Sequence, residues 1–321
     1  MISICIPVYN YNISELTVEL IRQGNDSGAD YEIILIDDCS LMEYRKANKA
    51  LFRICKYIQL DRNVGRARIR NLFMEHARYE NLLFVDCDSV IIREDFLLRY
   101  IKDISENGSL VICGGRVYET VSPPGEKKLR WKYGTFRESQ PPSVRRKSPF
   151  RFFMSNNLLL NKKVLDSIRF DERLLEYGYE DTLFGYWLMK NKIKISHIEN
   201  PVLHGHIETN SEFLEKTEKS VANLMRIVDF VGCDDDFVNN IRLLQIYIMI
   251  NRIRLTGICR FSLNQLSRLF KYFLSRGFVY MWMFDLYKLD LLMQAGKLPL
   301  VPANERADKI KHTIEKSNSD H

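Results

Sequence analysis

The chain has 321 residues, 46% of them hydrophobic and 27% charged, which is the composition of a globular protein with one core domain and a substantial extension. Its seven cysteines form no C-x-x-C pair, which argues against both a zinc ribbon and a disulfide framework and fits a reducing compartment. The net charge of +6 fits polyanionic substrates or an anionic membrane surface, whereas no recognisable module indicates nucleic-acid binding.

We expect neither a signal peptide nor a membrane-spanning helix. The chain enters a strand-like run over Ile2–Ile6 at once, without a basic leader in front of an apolar segment. No stretch reaches about 18 uninterrupted apolar residues, and the nearest approach, Phe278–Met293, contains charged residues. The expected location is therefore the cytoplasm, with peripheral contact to the inner face of the membrane as an open alternative.

The first part of the chain alternates short apolar strands with helical patterns, which predicts an α/β fold with a mostly parallel sheet. The predicted strands are Ile2–Val8, Glu32–Ile36, Tyr57–Leu60, Leu82–Val85, Leu110–Cys113, Ile193–Ile198 and Pro201–Leu203. The predicted helices are Ser14–Gln23 with Ser14 as its cap, Tyr44–Cys55, a basic helix after Gly65, Lys163–Ile168 and Glu180–Lys190.

The pattern also predicts how the domains are arranged. Segment 118–150 holds five prolines and little periodicity, which predicts a long loop. From residue 211 the pattern is helical almost throughout. We therefore predict an α/β domain over 1–210, a helical C-terminal region over 211–303 and a polar, frayed tail over 304–321.

Acidic residues follow two of the predicted strands. Asp37 and Asp38 close the second strand, and Asp86 and Asp88 follow Leu82–Val85. Ligands bind beyond the carboxyl ends of strands in open α/β sheets, and two carboxylates can hold one hard cation together with phosphate oxygens. Aspartates at strand ends also make turns, so these residues alone leave a ligand site and a structural role about equally open.

Five motifs in register resemble family 2 glycosyltransferases with the GT-A fold. They are Ser3–Asn10, Ile34–Ser40, Asn63-x-Gly65 with Arg70–Asn71, the D-x-D sequence Phe84–Asp88, and Gly178–Asp181. The resemblance covers about residues 1–210. It implies a Rossmann-like, mostly parallel sheet that binds a nucleotide sugar.

The resemblance also implies which residues bind the donor. These residues are Pro7, Val8, Tyr9, Asp38, Gly65, Arg68, Asp86 and Cys87. Asp38 would accept a hydrogen bond from the base, which suits uracil or guanine because both carry ring N–H donors. Arg66 and Arg70 share a helical face and Arg68 points elsewhere. We favour Arg68 as the diphosphate contact, with a solvated basic face as the alternative.

A metal site is implied at the D-x-D sequence. Asp86 would take the ribose hydroxyls or a metal-bound water, and Asp88 would bind the metal. The family often supplies a histidine after the last core strand, which His204 matches, although His206 leaves a second choice. Mn²⁺ or Mg²⁺ bridging the diphosphate would neutralise the charge that grows on the leaving nucleotide.

The last motif implies the catalytic residues. Asp181 would be the base that takes the proton of the acceptor hydroxyl in an inverting transfer, and Glu180 would orient the acceptor. Without the resemblance, two acids in the first turn of a helix are ordinary helix-start chemistry.

The acceptor and the membrane leave alternatives open. Lys127–Gly134 combines basic and aromatic side chains that suit a sugar and an anionic group, or simply a solvated loop. Position 127 is Lys, so the Gln-x-x-Arg-Trp motif of processive members is absent and addition of a single sugar is favoured. In the C-terminal helices, Phe270, Phe273 or Leu274, and Phe278 lie at helical spacing and are most simply core, and a membrane-facing surface is the alternative.

We therefore predict a bacterial, non-processive, inverting and metal-dependent transferase of a hexose-type sugar. It would use a nucleoside diphosphate sugar, UDP rather than GDP, and a glycan or lipid-linked acceptor in surface-polysaccharide biosynthesis. One alternative is a sugar-phosphate nucleotidyltransferase, which would need a glycine-rich loop that residues 1–12 lack. The other is a non-catalytic binding protein, which should have lost Asp88, Asp181 or the histidine.

Overall fold

The computed structural model of the protein describes residues 1–174 and 177–296. The strands are β1 (Ile2–Val8), β2 (Tyr31–Asp37), β3 (Lys56–Gln59), β4 (Asn81–Val85), β5 (Ser89–Ile91), β6 (Val111–Cys113), β7 (Arg116–Val117), β8 (Asn157–Asn161), β9 (Ser196–His197) and β10 (Val202–His204). The helices of the first two hundred residues are α1 (Ser14–Asp26), α2 (Met42–Ala47), α3 (Arg66–His76), α4 (Phe96–Asn107), α5 (Lys128–Tyr133), α6 (Pro142–Arg145), α7 (Lys162–Ser167) and α8 (Glu180–Lys190). They are followed by α9 (Asn210–Val231), α10 (Asp235–Asn240), α11 (Arg242–Arg252), α12 (Thr256–Ser275) and α13 (Met281–Gln294).

The main sheet has seven strands in the order β3-β2-β1-β4-β8-β6-β9. β1 pairs in parallel with β2 and β4, β3 with β2, and β9 with β6, whereas β8 is antiparallel to both β4 and β6. The predicted α/β sheet, mostly parallel, is confirmed. Since β1 has β2 on one side and β4 on the other, the strand order reverses there and the carboxyl ends of β1 and β4 border a crevice.

The side chains of β4 alternate between two buried faces of the sheet. Leu82 and Phe84 pack with residues of α3, α7 and α8, whereas Leu83 and Val85 pack with residues of α1 and α4. β8 alternates in the same way. Because successive residues of a strand point to opposite faces, Asp86 follows Val85 on the face that α3 and α8 cover.

A second sheet of three strands, in the order β5-β10-β7, brings two distant segments together. β10 is antiparallel to β5, and its register places His204 opposite Ser89. The backbone N–H of Gly205 donates to the carbonyl of Asp88 at 2.8 Å. The end of β10 therefore lies against the end of the D-x-D sequence.

Two predicted elements differ from the observed ones near the start of the chain. Ser14 is the first residue of α1 and not its cap, because the cap position is Ile13. The predicted helix Tyr44–Cys55 is divided into α2 and a 3₁₀ helix, Lys49–Arg53. Asn48 lies at the division, and its buried amide bonds the carbonyl of Tyr11 and the N–H of Ile13. The amide has partners there that the local helix pattern does not reveal.

The predicted long loop over 118–150 is wrong. The segment contains α5, a π-helical turn over Gly134–Glu138, and α6. Arg145 of α6 is buried, and its guanidinium donates to the carbonyls of Cys113, Gly114 and Ile198. These bonds fasten the segment to strands that are distant in sequence, which the proline content of the segment could not indicate.

The chain forms two compact units. The first consists of Met1–Val121, Gly134–Leu175 and Glu180–Ile207. The second consists of Ser122–Tyr133, Glu176–Tyr179 and Glu208–His321. Of this second unit, the structure describes residues 122–133, 177–179 and 208–296. Part of the predicted loop thus belongs with the C-terminal helices. The predicted tail 304–321 lies outside the described residues.

The second unit has its own apolar core. Leu129 of α5 packs with residues of α9, α12 and α13, and the side chain of Asn210 bonds both the N–H of Leu129 and the carbonyl of Gly125. The predicted core stripe holds for Phe270 and Leu274 but is wrong for Phe278, which is exposed. Across residues 1–174 and 177–296, no helix has the length and apolar character that a bilayer crossing needs.

Candidate functional site

The carboxyl ends of β1 and β2 are joined by a set of backbone and side-chain bonds. The N–H of Asp38 donates to the carbonyl of Val8 at 2.8 Å. Asn10 receives a bond from the N–H of Leu41 on its side-chain oxygen, and its own N–H donates to Ser40 Oγ. These bonds fix the turn that carries Tyr9, whose side chain is exposed beside the crevice.

Asp38 is buried and fixes the start of α3. Its carboxylate accepts the N–H groups of Val64, at 2.6 Å, and Gly65, at 3.2 Å. Gly65 has φ +83°, which disfavours any residue with a Cβ. Burial raises the pKa of Asp38, and these two hydrogen bonds oppose the rise. A hydrogen bond from a nucleotide base to Asp38 would share the two carboxylate oxygens that accept these N–H groups.

Asp37, which precedes Asp38 at the end of β2, has a structural role. One carboxylate oxygen accepts the N–H of Ser40 at 2.7 Å, and the other accepts the hydroxyl of Tyr57 at 2.8 Å. These bonds give Asp37 the structural role in a turn that the sequence left open for aspartates at strand ends.

Asp86 lies between two arginines. Arg70 Nη2 approaches its Oδ1 at 3.2 Å, and Arg116 Nη2 approaches its Oδ2 at 3.5 Å. Burial on its own raises the pKa of Asp86, but Arg70, Arg66 and Arg116 outweigh burial and hold that pKa below its ordinary value. Asp86 is therefore an ionised acceptor at neutral pH.

Of the arginines Arg68 and Arg70 in α3, the structure brings Arg70 to Asp86. The Arg70 side chain is only 3% exposed, and its guanidinium lies 5.6 Å from the centre of the Phe170 ring. Arg68 is exposed and makes a 3.8 Å ion pair with Glu172. The reason is the helix period, because residues four apart, such as Arg66 and Arg70, share a face that Arg68 does not.

Asp88 and His204 form the second part of the site. His204 Nδ1 lies 3.4 Å from Asp88 Oδ2, whereas His206 is exposed and its ring lies 6.4 Å from that of Tyr11. A Cβ on Gly205 would meet the carbonyl oxygen of Asp88 at 2.8 Å, so this close approach requires glycine. Of the two histidines, the structure brings His204 to Asp88.

Tyr118 and Glu138 connect the two parts of the site. The ring of Tyr118 makes an edge contact with that of His204, with centroids 5.3 Å apart, and its hydroxyl donates to the Glu138 carboxylate. Arg116 Nη1 lies 3.4 Å from Glu138 Oε2. The predictions included neither Arg116 nor Glu138, because Arg116 lies in β7, a strand that was not predicted, and Glu138 lies in the segment predicted to be a loop.

The described part of the chain contains no cluster of three or more His, Cys, Asp or Glu side chains that could hold a metal ion. Asp88 and His204 offer one carboxylate and one imidazole. Such a pair fits a cation that takes its remaining ligands from water and from substrate phosphates, as Mg²⁺ and Mn²⁺ sites commonly do. These two residues therefore suit a shared metal but do not enclose one.

Asp181 is held at the start of α8 by one oxygen. The N–H of Ser155 donates to its Oδ2 at 2.9 Å, and its buried Oδ1 has no hydrogen-bond partner within residues 1–174 and 177–296. Burial raises the pKa of Asp181, Arg70 opposes the rise and Glu180 adds to it. The neighbouring Glu180 lies 3.5 Å from Arg66. Within the described residues, Asp181 therefore combines a carboxylate oxygen without a hydrogen-bond partner with a raised pKa.

The remaining predicted residues line the same edge. Pro7 is partly exposed at the end of β1, where it is paired with Ile36. Cys87 lies between the two aspartates, and burial, with help from Asp88 and Asp86, raises its thiol pKa to about 12. Cys87 is therefore neutral at neutral pH, and it is no thiolate nucleophile.

Comparisons with known proteins identify a family and a fold for this chain. The model of the family described as Glycosyl transferase family 2 matches residues 3–169. The chondroitin synthase of Pasteurella multocida is 23% identical over 293 residues, which cover 77% of this chain but only 30% of that protein. The uncharacterized glycosyltransferase YfnE of Bacillus subtilis is 23% identical over 301 residues, covering 78% of this chain and 73% of that protein.

Two solved structures share the fold. S. aureus TarS 1–349 in complex with UDP has a TM-score of 0.51 at 18% identity, covering 100% of this chain and 92% of that one. The mannosyltransferase PcManGT from Pyrobaculum calidifontis, in complex with GDP-Man and Mn²⁺, has a TM-score of 0.60 at 12% identity, covering 92% and 85%. The GT-A-like α/β fold predicted from the sequence is confirmed.

Replacing Arg70 by Met should destabilise the protein by about 2 kcal/mol at pH 7, because the Asp86 carboxylate loses its nearest buried charge partner. Arg68→Met is the matched control, since it removes an exposed ion pair and should cost less than about 0.5 kcal/mol. Urea unfolding of both variants measures the difference. Equal losses in the free energy of unfolding would contradict the role of Arg70 as the buried charge partner of Asp86.

Proposed function

The chain belongs to glycosyltransferase family 2, and we propose that it transfers a single hexose-type sugar from a nucleoside diphosphate sugar to a glycan or lipid-linked acceptor. The transfer would invert the anomeric configuration and depend on Mn²⁺ or Mg²⁺. Its place would be surface-polysaccharide biosynthesis. A chondroitin synthase among the relatives supports a polysaccharide product, although this chain spans less than a third of that protein's length.

One observation carries the proposal: three acids lie along one sheet edge in three different environments. Asp86 is flanked by Arg70 and Arg116. Asp88 faces His204. Asp181 is bonded to Ser155, whose neighbour Asn156 accepts the N–H of Asp86. A donor diphosphate, its metal and an acceptor hydroxyl need different partners, and these three acids could supply one to each.

The metal would be held by Asp88 and His204. When bound, it would neutralise the charge that develops on the leaving nucleotide. The imidazole beside the carboxylate suits Mn²⁺. Arg70 and Arg116 would add fixed positive charge around Asp86, where an anionic diphosphate requires it.

Asp181 would act as the catalytic base. An inverting transfer needs a carboxylate that accepts the acceptor's proton as the new bond forms on the face opposite the nucleotide. Ser155 holds Oδ2, which leaves Oδ1 for that proton. Glu180, adjacent and paired with Arg66, would orient the acceptor.

We propose UDP as the nucleotide. Support comes from S. aureus TarS, whose structure in complex with UDP covers the whole of this chain. Asp38 suits either uracil or guanine, and PcManGT was solved with GDP-Man, so GDP is an outcome of the test.

We also propose that the second unit rests on an anionic membrane surface. Residues 242–284, which we name the basic segment, contain seven Arg or Lys and no Asp or Glu. Eleven large apolar side chains of the basic segment are exposed, among them Ile258, Phe261, Phe278 and Trp282. Exposed apolar side chains together with basic residues fit the headgroup region of an anionic bilayer, where a lipid-linked acceptor would be found.

The proposal is tested with a panel of UDP- and GDP-sugars, in Mn²⁺ and in EDTA, by measuring release of the nucleoside diphosphate. We expect UDP from one or a few UDP-sugars in Mn²⁺ and much less in EDTA. Release from GDP-sugars alone would correct the nucleotide. No release from any donor, with or without acceptor glycans, would contradict the proposed function.

Transfer should fail at acid pH because the base must be ionised. Since the pKa of Asp181 is raised, kcat/KM should begin to fall at a pH above the ordinary value of about 3.9 for aspartate. Glu180→Gln removes a negative neighbour and should shift this limb to lower pH. Asp181→Asn should lose about 10²–10⁴-fold in kcat while still binding UDP. Near-normal turnover by Asp181→Asn would exclude Asp181 as the base.

The two histidines provide a matched pair for the metal. His204→Ala should weaken Mn²⁺-stimulated transfer by about 10–100-fold, because the cation loses a ligand. His206→Ala should stay within about twofold of the wild type, since the His206 side chain is exposed. Titration of activity with Mn²⁺ measures both variants, and equal effects would remove His204 from the proposed site.

The membrane contact is tested by co-sedimentation with vesicles of phosphatidylcholine and phosphatidylglycerol. The triple variant Arg254→Glu, Arg260→Glu and Arg268→Glu should lower binding at low salt by at least about tenfold, because each basic residue contributes near an anionic surface. Lys46→Glu, Lys49→Glu and Arg53→Glu make the same charge change in the first unit and should bind normally. Equal loss in both, or equal binding to pure phosphatidylcholine, would contradict the proposal.

A further inference from the structure

Asn156 lies between the two acids to which the proposed function gives different tasks. Its carbonyl accepts the N–H of Asp86 at 3.0 Å. The N–H of the preceding residue, Ser155, donates to Asp181 at 2.9 Å. The backbone of Asn156 is therefore fixed from both sides, between the D-x-D sequence and the start of α8.

The side chain of Asn156 lies on the same face of the sheet as Asp86. Val85 is paired with Asn157, and the bond between Asp86 and Asn156 continues that antiparallel pairing by one residue. Directly opposed residues of an antiparallel pair project to one face, with Cβ atoms about 4.5–5.5 Å apart. This is also the face of Phe84 and Leu158, which α3 and α8 cover.

The next residue, Asn157, shows what a purely structural asparagine looks like at this point. Its Nδ2 donates to the carbonyls of Gly115 and Asn200, and its Oδ1 accepts the hydroxyl of Tyr100. Asn157 points to the opposite face and its amide bonds are satisfied. The two adjacent asparagines therefore differ in role.

The amide of Asn156 has no such partners. The residue is 3% exposed, and neither its Oδ1 nor its Nδ2 has a hydrogen-bond partner among the described residues. A buried amide without partners costs stability, so such groups in proteins commonly meet a ligand or an ordered water. The buried Oδ1 of Asp181 is in the same condition.

We propose that Asn156 binds hydroxyl groups of the sugar that is transferred. The inference rests on the proposed function, in which this sugar lies between the diphosphate near Asp86 and the base Asp181. An amide offers both a donor and an acceptor, which suits a hydroxyl or a pair of neighbouring hydroxyls. Asn156 would then select among donor sugars, whereas Asp38 and Asp86 serve the nucleotide.

The test is Asn156→Leu, which keeps the approximate shape of the side chain and removes its polar atoms. Without acceptor, UDP should bind this variant within about twofold of the wild type, because the nucleotide does not contact the amide. Binding of the preferred UDP-sugar should weaken by about tenfold or more, as expected when a sugar hydroxyl loses its partner. The wild type should bind the UDP-deoxysugar that lacks the contacted hydroxyl more weakly than the preferred UDP-sugar. The variant should bind that UDP-deoxysugar and the preferred UDP-sugar with equal affinity.

Thermal unfolding separates this role from a structural one. Asn156→Leu removes a buried amide that lacks partners, so its Tm should equal or exceed that of the wild type. The control Asn48→Leu makes the same change at a buried amide that bonds Tyr11 and Ile13, and its Tm should fall. A stable Asn156→Leu protein that loses sugar recognition supports the proposal.

Two results would overturn it. Near-normal kcat/KM with unchanged preference among donor sugars would show that the amide does not contact the sugar. A fall in Tm together with equal weakening of UDP and UDP-sugar binding would assign Asn156 to the structure, through an ordered water. Failure of the proposed function is distinct, since then the wild type itself would transfer no sugar, and this inference would fall with it.

Discussion

The antiparallel pairing of β4 with β8 is the constraint on which the candidate site depends. It continues beyond both strands through the bond between Asp86 and Asn156, and the adjoining Ser155 holds Asp181. Acids from distant parts of the sequence are thereby set on neighbouring backbone positions. The crevice beyond the ends of β1 and β4 has a separate cause, because β1 lies between β2 and β4 and the strand order reverses there.

Burial and charge then give the three acids different properties. Arg70 and Arg116 keep Asp86 ionised although it is largely buried. Asp88 is paired with an imidazole and partly exposed, which suits exchange of water or phosphate oxygens around a cation. Asp181 has a raised pKa because burial is not fully offset by Arg70. One residue type thereby has three different environments, which the proposed transfer would use for three different tasks.

Much of this edge was predictable from the sequence. β1, β2 and β4 are continuous apolar runs followed by polar residues, and strand ends of this kind locate ligands in α/β sheets. The spacing of Arg66 and Arg70 indicated a shared face, but it did not show that this face is the buried one, so the prediction chose Arg68. Arg116, Glu138 and Asn156 were missed because their placement depends on pairings between distant strands and on a segment that was predicted to be a loop.

A crystal structure with UDP and Mn²⁺ bound tests the central claim most directly. The account predicts the nucleotide beyond the carboxyl ends of β1 and β4, the cation on Asp88 and His204, and the amide of Asn156 directed toward the position of the sugar. A nucleotide bound elsewhere on the first unit, or a cation held by residues other than Asp88 and His204, would contradict it.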